Sequence, residues 1–155
     1  MLKIDILKNH PNTIPELAQL WYESLGKHWA TEISLTEITH WYHEWLNNDI
    51  PLVYVVLDDN KVVGSCSLQL NDGIRTDLFP WLGDLVIVPK YQGQGFGKQL
   101  VNFVAAQAKH KNFEKLYLFV FEKKLIQYYS RLGWAVLTED IYENKPITIM
   151  TINLC

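Results

Sequence analysis

Three glycines at alternate positions, Gly93, Gly95 and Gly97, follow an apolar run that stops at Pro89. Glycine lets successive backbone N–H groups turn inward and lets an anion approach them, and a helix start just behind adds a favourable dipole. The chemistry this pattern supports is the binding of a phosphate or pyrophosphate. Two common phosphate loops do not fit. Counted from Gly93, the dinucleotide fingerprint G-x-G-x-x-G puts Lys98 where its last glycine belongs. The Walker loop G-x-x-x-x-G-K-[ST] meets Gln92 at its first glycine and Gln99 at its hydroxyl position. What fits is Q-x-x-G-x-G, from Gln92 to Gly97, directly after an L-x-I-x-P strand.

Other reactive side chains give weaker patterns. His40, His43 and Glu44 spell H-x-x-H-E, whereas a metalloprotease helix needs H-E-x-x-H with its histidines four apart, so no metal site is expected. Two cysteines, Cys66 and Cys155, form no C-x-x-C, no zinc set and no disulfide framework. Cys66 falls within a strand and Cys155 at the last position, so neither reads as a placed nucleophile.

These residues need elements to hold them. Leu2, Ile4 and Ile6 alternate as in a strand. Thr13 and Glu16 read as a capping box opening a helix to about Leu25, closed by Gly26. Ser34 and Glu37 form a second box, opening a helix to about Asn47. Residues 52–57 and 61–70 flank Asp58-Asp59-Asn60 as an antiparallel hairpin. A polar loop from Asn71 to Leu78 leads to a central strand over 81–88. The glycine loop then opens a helix with Leu100, Val101, Val104, Ala105 and Ala108 on one face. A strand over 115–121, a short helix ending at Gly133, and a last strand over 146–154 complete the chain, with a further short strand at 135–138. The order predicts a mixed α/β sheet, antiparallel at first, with a βαβ crossover around the glycine loop.

Composition agrees with one domain over 1–155. Hydrophobic residues make up 48% and charged residues 20%, which excludes wholesale disorder. Lys+Arg 14 against Asp+Glu 17 leaves a net charge of −3, a poor match to nucleic acid. The first residues read as a strand and turn rather than a signal peptide, and no apolar run is long enough to span a membrane, so a cytoplasmic protein is expected. Aromatics, at 13% with 6 Trp and 8 Tyr, are in excess, which fits a well-filled core or a homodimer interface.

Taken with its strand–loop–helix setting, the segment from Gln92 to Gly97 resembles the signature [QR]-x-x-G-x-[GA] of the GNAT superfamily, the acyl-CoA-dependent N-acyltransferases. Tyr129-Ser130-Arg131-Leu132-Gly133-Trp134 is similar to that family's Y-x-x-x-G-[FYW], at the right distance. The resemblance runs from about Leu52 to the C-terminus. It implies a GNAT fold: an α/β (α+β) arrangement with a mixed, mostly antiparallel central sheet flanked by about four helices and splayed at strands 4 and 5.

Carried onto this chain, the resemblance implies acetyl-CoA as acyl donor, a primary amine as acceptor and no metal. The backbone of Leu85, Val86 and Ile87 would hold the acetyl-pantetheine arm. Amides of Gln92, Gly93, Gln94, Gly95, Phe96, Gly97 and Lys98 would cradle the pyrophosphate, with Lys98 or Lys123 as a point charge on a phosphate. Tyr129 matches the family's general acid, Tyr128 being the alternative if the helix register shifts. A phenol near pKa 10 can protonate a leaving thiolate near 8.5 without prior ionisation. Asp84, the only acid on the fourth strand, is the candidate general base, with Asp77 and Glu44 as alternatives.

One position departs from the family. An asparagine that bonds pantetheine often stands seven residues before the tyrosine, and here Glu122 occupies it. That departure motivates a rival reading, a catalytically weak or inactive CoA-binding regulatory module. On the acceptor side, the resemblance implies walls from the first two helices and their connection, where Tyr22, His28 and Trp29 stand. The loop over 71–79, with Asp72 and Asp77, reads as a solvated loop that could steer an amine by charge, while Trp21, Trp41 and Trp45 read as core.

Overall fold

Seven strands pair into one sheet in a computed structural model that describes residues 2–26, 32–71 and 73–154. His28, Trp29 and Cys155 lie outside the described residues. The strands are β1 (Leu2–Ile6), β2 (Leu52–Asp58), β3 (Lys61–Gln69), β4 (Trp81–Ile87), β5 (Lys115–Val120), β6 (Ala135–Tyr142) and β7 (Lys145–Asn153). Their order across the sheet is β1-β2-β3-β4-β5-β7-β6. All neighbours are antiparallel except β4 and β5. This is the mixed, mostly antiparallel sheet expected above.

Two tight turns set the hairpins. Asp59 and Asn60, at φ 48° and 72°, connect β2 to β3, as their residue types foretell. Glu143 and Asn144, at φ 48° and 66°, do the same between β6 and β7. That second hairpin extends β6 to Tyr142, well past the short strand at 135–138 expected from sequence.

Among the described residues, four α-helices flank the sheet: α1 (Ile14–Trp21), α2 (Leu35–Glu44), α3 (Phe96–His110) and α4 (Lys123–Arg131). The Ser34 box forms, its hydroxyl oxygen accepting from the Glu37 amide at 3.1 Å. The helix stops at Glu44, about a turn short of the expected end. The Thr13 box does not form. Thr13 already has a helical backbone, its hydroxyl donates to the His10 carbonyl at 2.7 Å, and Glu16 instead accepts from the Val62 amide at 3.2 Å. α1 also widens into a π-helical turn over Tyr22–Gly26 rather than ending regularly.

One face of the sheet is covered by α1 and α2, with Ile14, Leu17, Trp21, Ile38 and Tyr42 packed on Val53, Val55 and Val86. The opposite face carries α3 and α4, where Leu100, Val104 and Tyr129 meet Cys66, Leu82, Leu118 and Met150. A third cluster of Trp81, Ile147 and Ile149, with Tyr117, Phe119, Phe121 and Tyr142 against it, is covered by Ile74 and Leu78 of the 71–79 loop. No described helix is long and apolar enough to cross a membrane.

Two irregularities shape the centre of the sheet. β4 and β5 pair at one position only, Trp81 with Tyr117, and diverge beyond it. On its other side β4 bulges. Ser65 faces Val86 and Ser67 faces Gly83, so three steps on β4 oppose two on β3. Asp84, in the bulge, has φ 53°.

Candidate functional site

The glycine loop leaves its amides open. Gln92 donates its backbone N–H to Pro89, and Gln99 donates to Gly95 in the first bond of α3. Among the described residues, the amides of 93–98 between them find no backbone acceptor. Six open donors at a helix N-terminus are what an anion requires. Gly93 and Gly95, at φ 75° and 88°, supply the left-handed turns, and an added Cβ at either would meet nothing within 4 Å. Gly97 is there for a different reason. Its Cβ would lie 2.9 Å from the Tyr128 hydroxyl. The Gln92 side chain donates to the Ile87 carbonyl at 3.0 Å, and that of Gln94 to Lys90 at 3.0 Å, so both tie the loop to itself. Phe96 packs on Tyr91 with ring centroids 5.7 Å apart, and Lys98 is exposed on the first turn of α3. The loop thus combines open backbone donors with the exposed Lys98 beside them.

A cavity of about 260 Å³ opens where β4 and β5 part. Asp84 and Tyr129 both line it, together with Trp21, Leu82, Gly83, Leu85, Leu118, Phe119, Val120, Phe121, Glu122 and Tyr142. Of the fourth-strand residues expected on the cofactor path, Leu85 is on this wall. Val86 packs under α1 and α2. Ile87 lies beside Gly97.

Asp84 is held on three sides. One carboxylate oxygen accepts from the Trp21 indole at 3.0 Å, and the other from the Ser67 hydroxyl at 3.1 Å and the Gln69 amide at 2.9 Å. Burial raises its carboxyl above the ordinary range, against the opposing pull of those three donors. Near it the Tyr42 hydroxyl is buried with no hydrogen-bond partner among the described residues, and its phenol is pushed far up by burial and by the nearby Asp84 charge.

Tyr129 is positioned by its own motif. Gly133, at φ 97°, caps α4, and the Trp134 amide returns to the Tyr129 carbonyl at 3.1 Å. The Trp134 ring then packs edge-on against Tyr129, with centroids 6.0 Å apart. Burial holds the Tyr129 phenol well above its usual value, so it stays protonated through neutral pH. Tyr128 turns the other way, toward Gly97. A phenol able to donate and a carboxylate able to accept therefore share one cavity.

The remaining candidates fall elsewhere. Asp77 is exposed and bound in two places by Arg75, at 2.9 and 2.7 Å. Glu44 pairs with His40 at 2.9 Å on the outer face of α2. Tyr22 is not on the cavity wall, whereas Trp21, read from sequence as core, is. Glu122 is on that wall and pairs with Lys124 at 3.1 Å, and its side chain does not cap α4. Lys123 borders a second, shallower cleft along β6 and β7. Cys66 is buried with its Sγ 3.5 Å from the Gly83 carbonyl. Trp41 and Trp45 meet at a tilt of 46° with centroids 4.1 Å apart and pack against the α1–α2 core. Sequence reasoning missed Ser67 and Gln69. Their one visible signal is their spacing, which places both on the same face of β3.

Solved structures of similar fold and a family pattern match this chain. The chain superposes on an aminoglycoside 6'-N-acetyltransferase complexed with coenzyme A with a TM-score of 0.77, at 16% identity over 99% of this chain and 97% of that one. A spermidine N-acetyltransferase chimera from Vibrio cholerae and hSSAT gives 0.76, at 18% identity over 99% and 95%. An uncharacterized ycf52-like N-acetyltransferase of Prochlorococcus marinus is 38% identical over 53 residues, 34% of this chain and 29% of that relative's length. The pattern of the acetyltransferase (GNAT) family matches residues 14–134, a span that runs from the start of α1 through the glycine loop to Trp134. With that match covering most of the chain and both signature segments, the protein belongs to the acetyltransferase (GNAT) family.

Proposed function

We propose that this chain transfers the acetyl group of acetyl-CoA directly to a primary amine within a ternary complex. The observation that carries this reading is the shared cavity, which has Asp84 and Tyr129 on its wall. The open amides of 93–98 bind the pyrophosphate, and the splay between β4 and β5 admits the acetyl-pantetheine arm. Asp84 takes a proton from the incoming ammonium. The neutral nitrogen then bonds to the thioester carbonyl carbon while β4 amides facing the splay stabilise the oxyanion. The C–S bond breaks, Tyr129 gives its proton to the departing thiolate, and the surplus N–H proton of the tetrahedral adduct passes through solvent to the Tyr129 phenolate, which restores the phenol. Buried Cys66 plays no covalent part. The names of two similar structures, acting on aminoglycosides and on spermidine, support an amine acceptor.

The first test is a melting curve with and without excess acetyl-CoA. At about a hundredfold its Kd a ligand contributes roughly 2.7 kcal/mol, a rise of about 5–10 °C for a domain of this size. The expected result is that rise, absent with NAD or ATP, followed by amine-dependent thiol release. No rise at saturation overturns the donor assignment. A rise with no release for any amine identifies a CoA-binding regulatory module instead.

A further inference from the structure

We infer that the acceptor is a lipophilic amine cation, one ammonium on an apolar, preferably aromatic, body that carries no carboxylate. The inference rests on the acyl-transfer reading above and names the class of molecule that the cavity takes. Five aromatic side chains line the cavity: Trp21, Phe119, Phe121, Tyr129 and Tyr142. Phe119 anchors a run of rings along one wall, 5.6 Å from Phe121 and 5.3 Å from Tyr142 between centroids. The splay also admits the acetyl-pantetheine arm, so the acceptor takes only part of this cavity of about 260 Å³ and its body must be small.

Charge on the wall has one sign. Asp84 and Glu122 are the ionisable carboxylates lining the cavity, and no Lys, Arg or His lines it among the described residues. Glu122 is already paired with Lys124. Among the described residues, Asp84 is not paired with a cation. One of its oxygens takes two donors and the other takes one, which leaves an acceptor site for an N–H. Aromatic faces also attract ammonium groups, and this wall already holds one from outside, with the Lys145 Nζ 5.9 Å above the Phe121 ring. An amino-acid carboxylate seated here would face Asp84 and ring faces; among the described residues no cation lines the cavity, Lys145 lying over the Phe121 ring without being one of the lining residues, and a buried unpaired charge is strongly disfavoured.

The test measures kcat/KM by thiol release for 2-phenylethylamine, its carboxylated analogue phenylalanine, ethanolamine and spermidine. The proposal expects 2-phenylethylamine to exceed phenylalanine by about a hundredfold and ethanolamine by about tenfold. Phe121→Ala should raise KM for 2-phenylethylamine about tenfold and KM for ethanolamine far less. Phenylalanine or spermidine turning over as well as 2-phenylethylamine overturns the proposal. If acetyl-CoA raises the melting temperature but no amine releases thiol, the acyl-transfer reading fails by itself. Calorimetry with the CoA-saturated protein then decides the acceptor class. Saturable binding of 2-phenylethylamine without binding of phenylalanine sustains it, and binding of both or of neither overturns it.

Discussion

The glycine loop and the cavity wall are built by opposite means. The loop is a single run of consecutive residues whose working parts are backbone amides, so glycines and one helix start suffice to make it. The wall gathers side chains from α1, β4, β5, β6 and α4, and its central contact, Trp21 to Asp84, joins residues 63 positions apart. Backbone chemistry writes itself into local sequence. Side-chain chemistry at a junction of elements is written in topology, and changes there alter what the site accepts without touching the loop.

Variants on the two sides should separate cleanly. Tyr129→Phe removes the donor for the thiolate and should lower kcat by about 10²- to 10⁴-fold. Its acetyl-CoA-induced melting shift should persist, because the loop is intact. Loss of both together would mean that the two regions are one cooperative unit.

Asp84→Asn should cost about a hundredfold in kcat/KM for the amine. It also carries a stability signature. Burial raises the Asp84 carboxyl above its ordinary 3.8, so the folded chain favours the protonated form. That contribution is full below the ordinary value and is lost as pH rises through the raised one. Asparagine cannot ionise, so the melting temperature of the variant relative to the parent should increase between pH 4 and pH 8. A difference that stays flat across that range would show that the carboxyl is not raised.

On the loop side, Gly97→Ala drives a methyl group to within 2.9 Å of the Tyr128 hydroxyl. The Tyr128 side chain or the loop must shift to relieve it, and we expect acetyl-CoA to bind about tenfold more weakly. Tyr128→Phe in the same chain removes the clashing oxygen and should restore most of the affinity; an additive double variant would place the damage elsewhere. Lys98→Ala is the mildest change. KM for acetyl-CoA should rise about two- to threefold at low salt, and the effect should fade near 0.5 M salt, as an exposed point charge requires.

Much of the frame was legible because each signal was local. Ser34 and Glu37 made their cap, Asp59-Asn60 made their turn, and Gly133 ended α4 with Trp134 behind it. Thr13 misled for a tertiary reason. A 3-10 turn runs straight into α1, so its backbone is already helical, and β3 claims the Glu16 carboxylate. Trp21 shows why the acceptor side stayed hidden. Its ring belongs to the apolar stripe of α1, as periodicity says, and only the approach of β4 turns its N–H into a hydrogen-bond donor for Asp84. Ser67 and Gln69 look like ordinary strand residues until the bulge in β4 brings a carboxylate opposite them.

The bulge also constrains how this protein can drift. Asp84 sits at φ 53°, a region that glycine, asparagine and aspartate tolerate and that other side chains enter at a cost of about 1–2 kcal/mol. Substitution at this position is therefore biased: asparagine or glycine keeps the backbone at little cost, while glutamate, the usual conservative exchange, carries the backbone cost that Glu143 bears at φ 48° in the β6–β7 turn. Relatives that have traded turnover for binding should carry that mark on the fourth strand, readable in sequence before any assay is run.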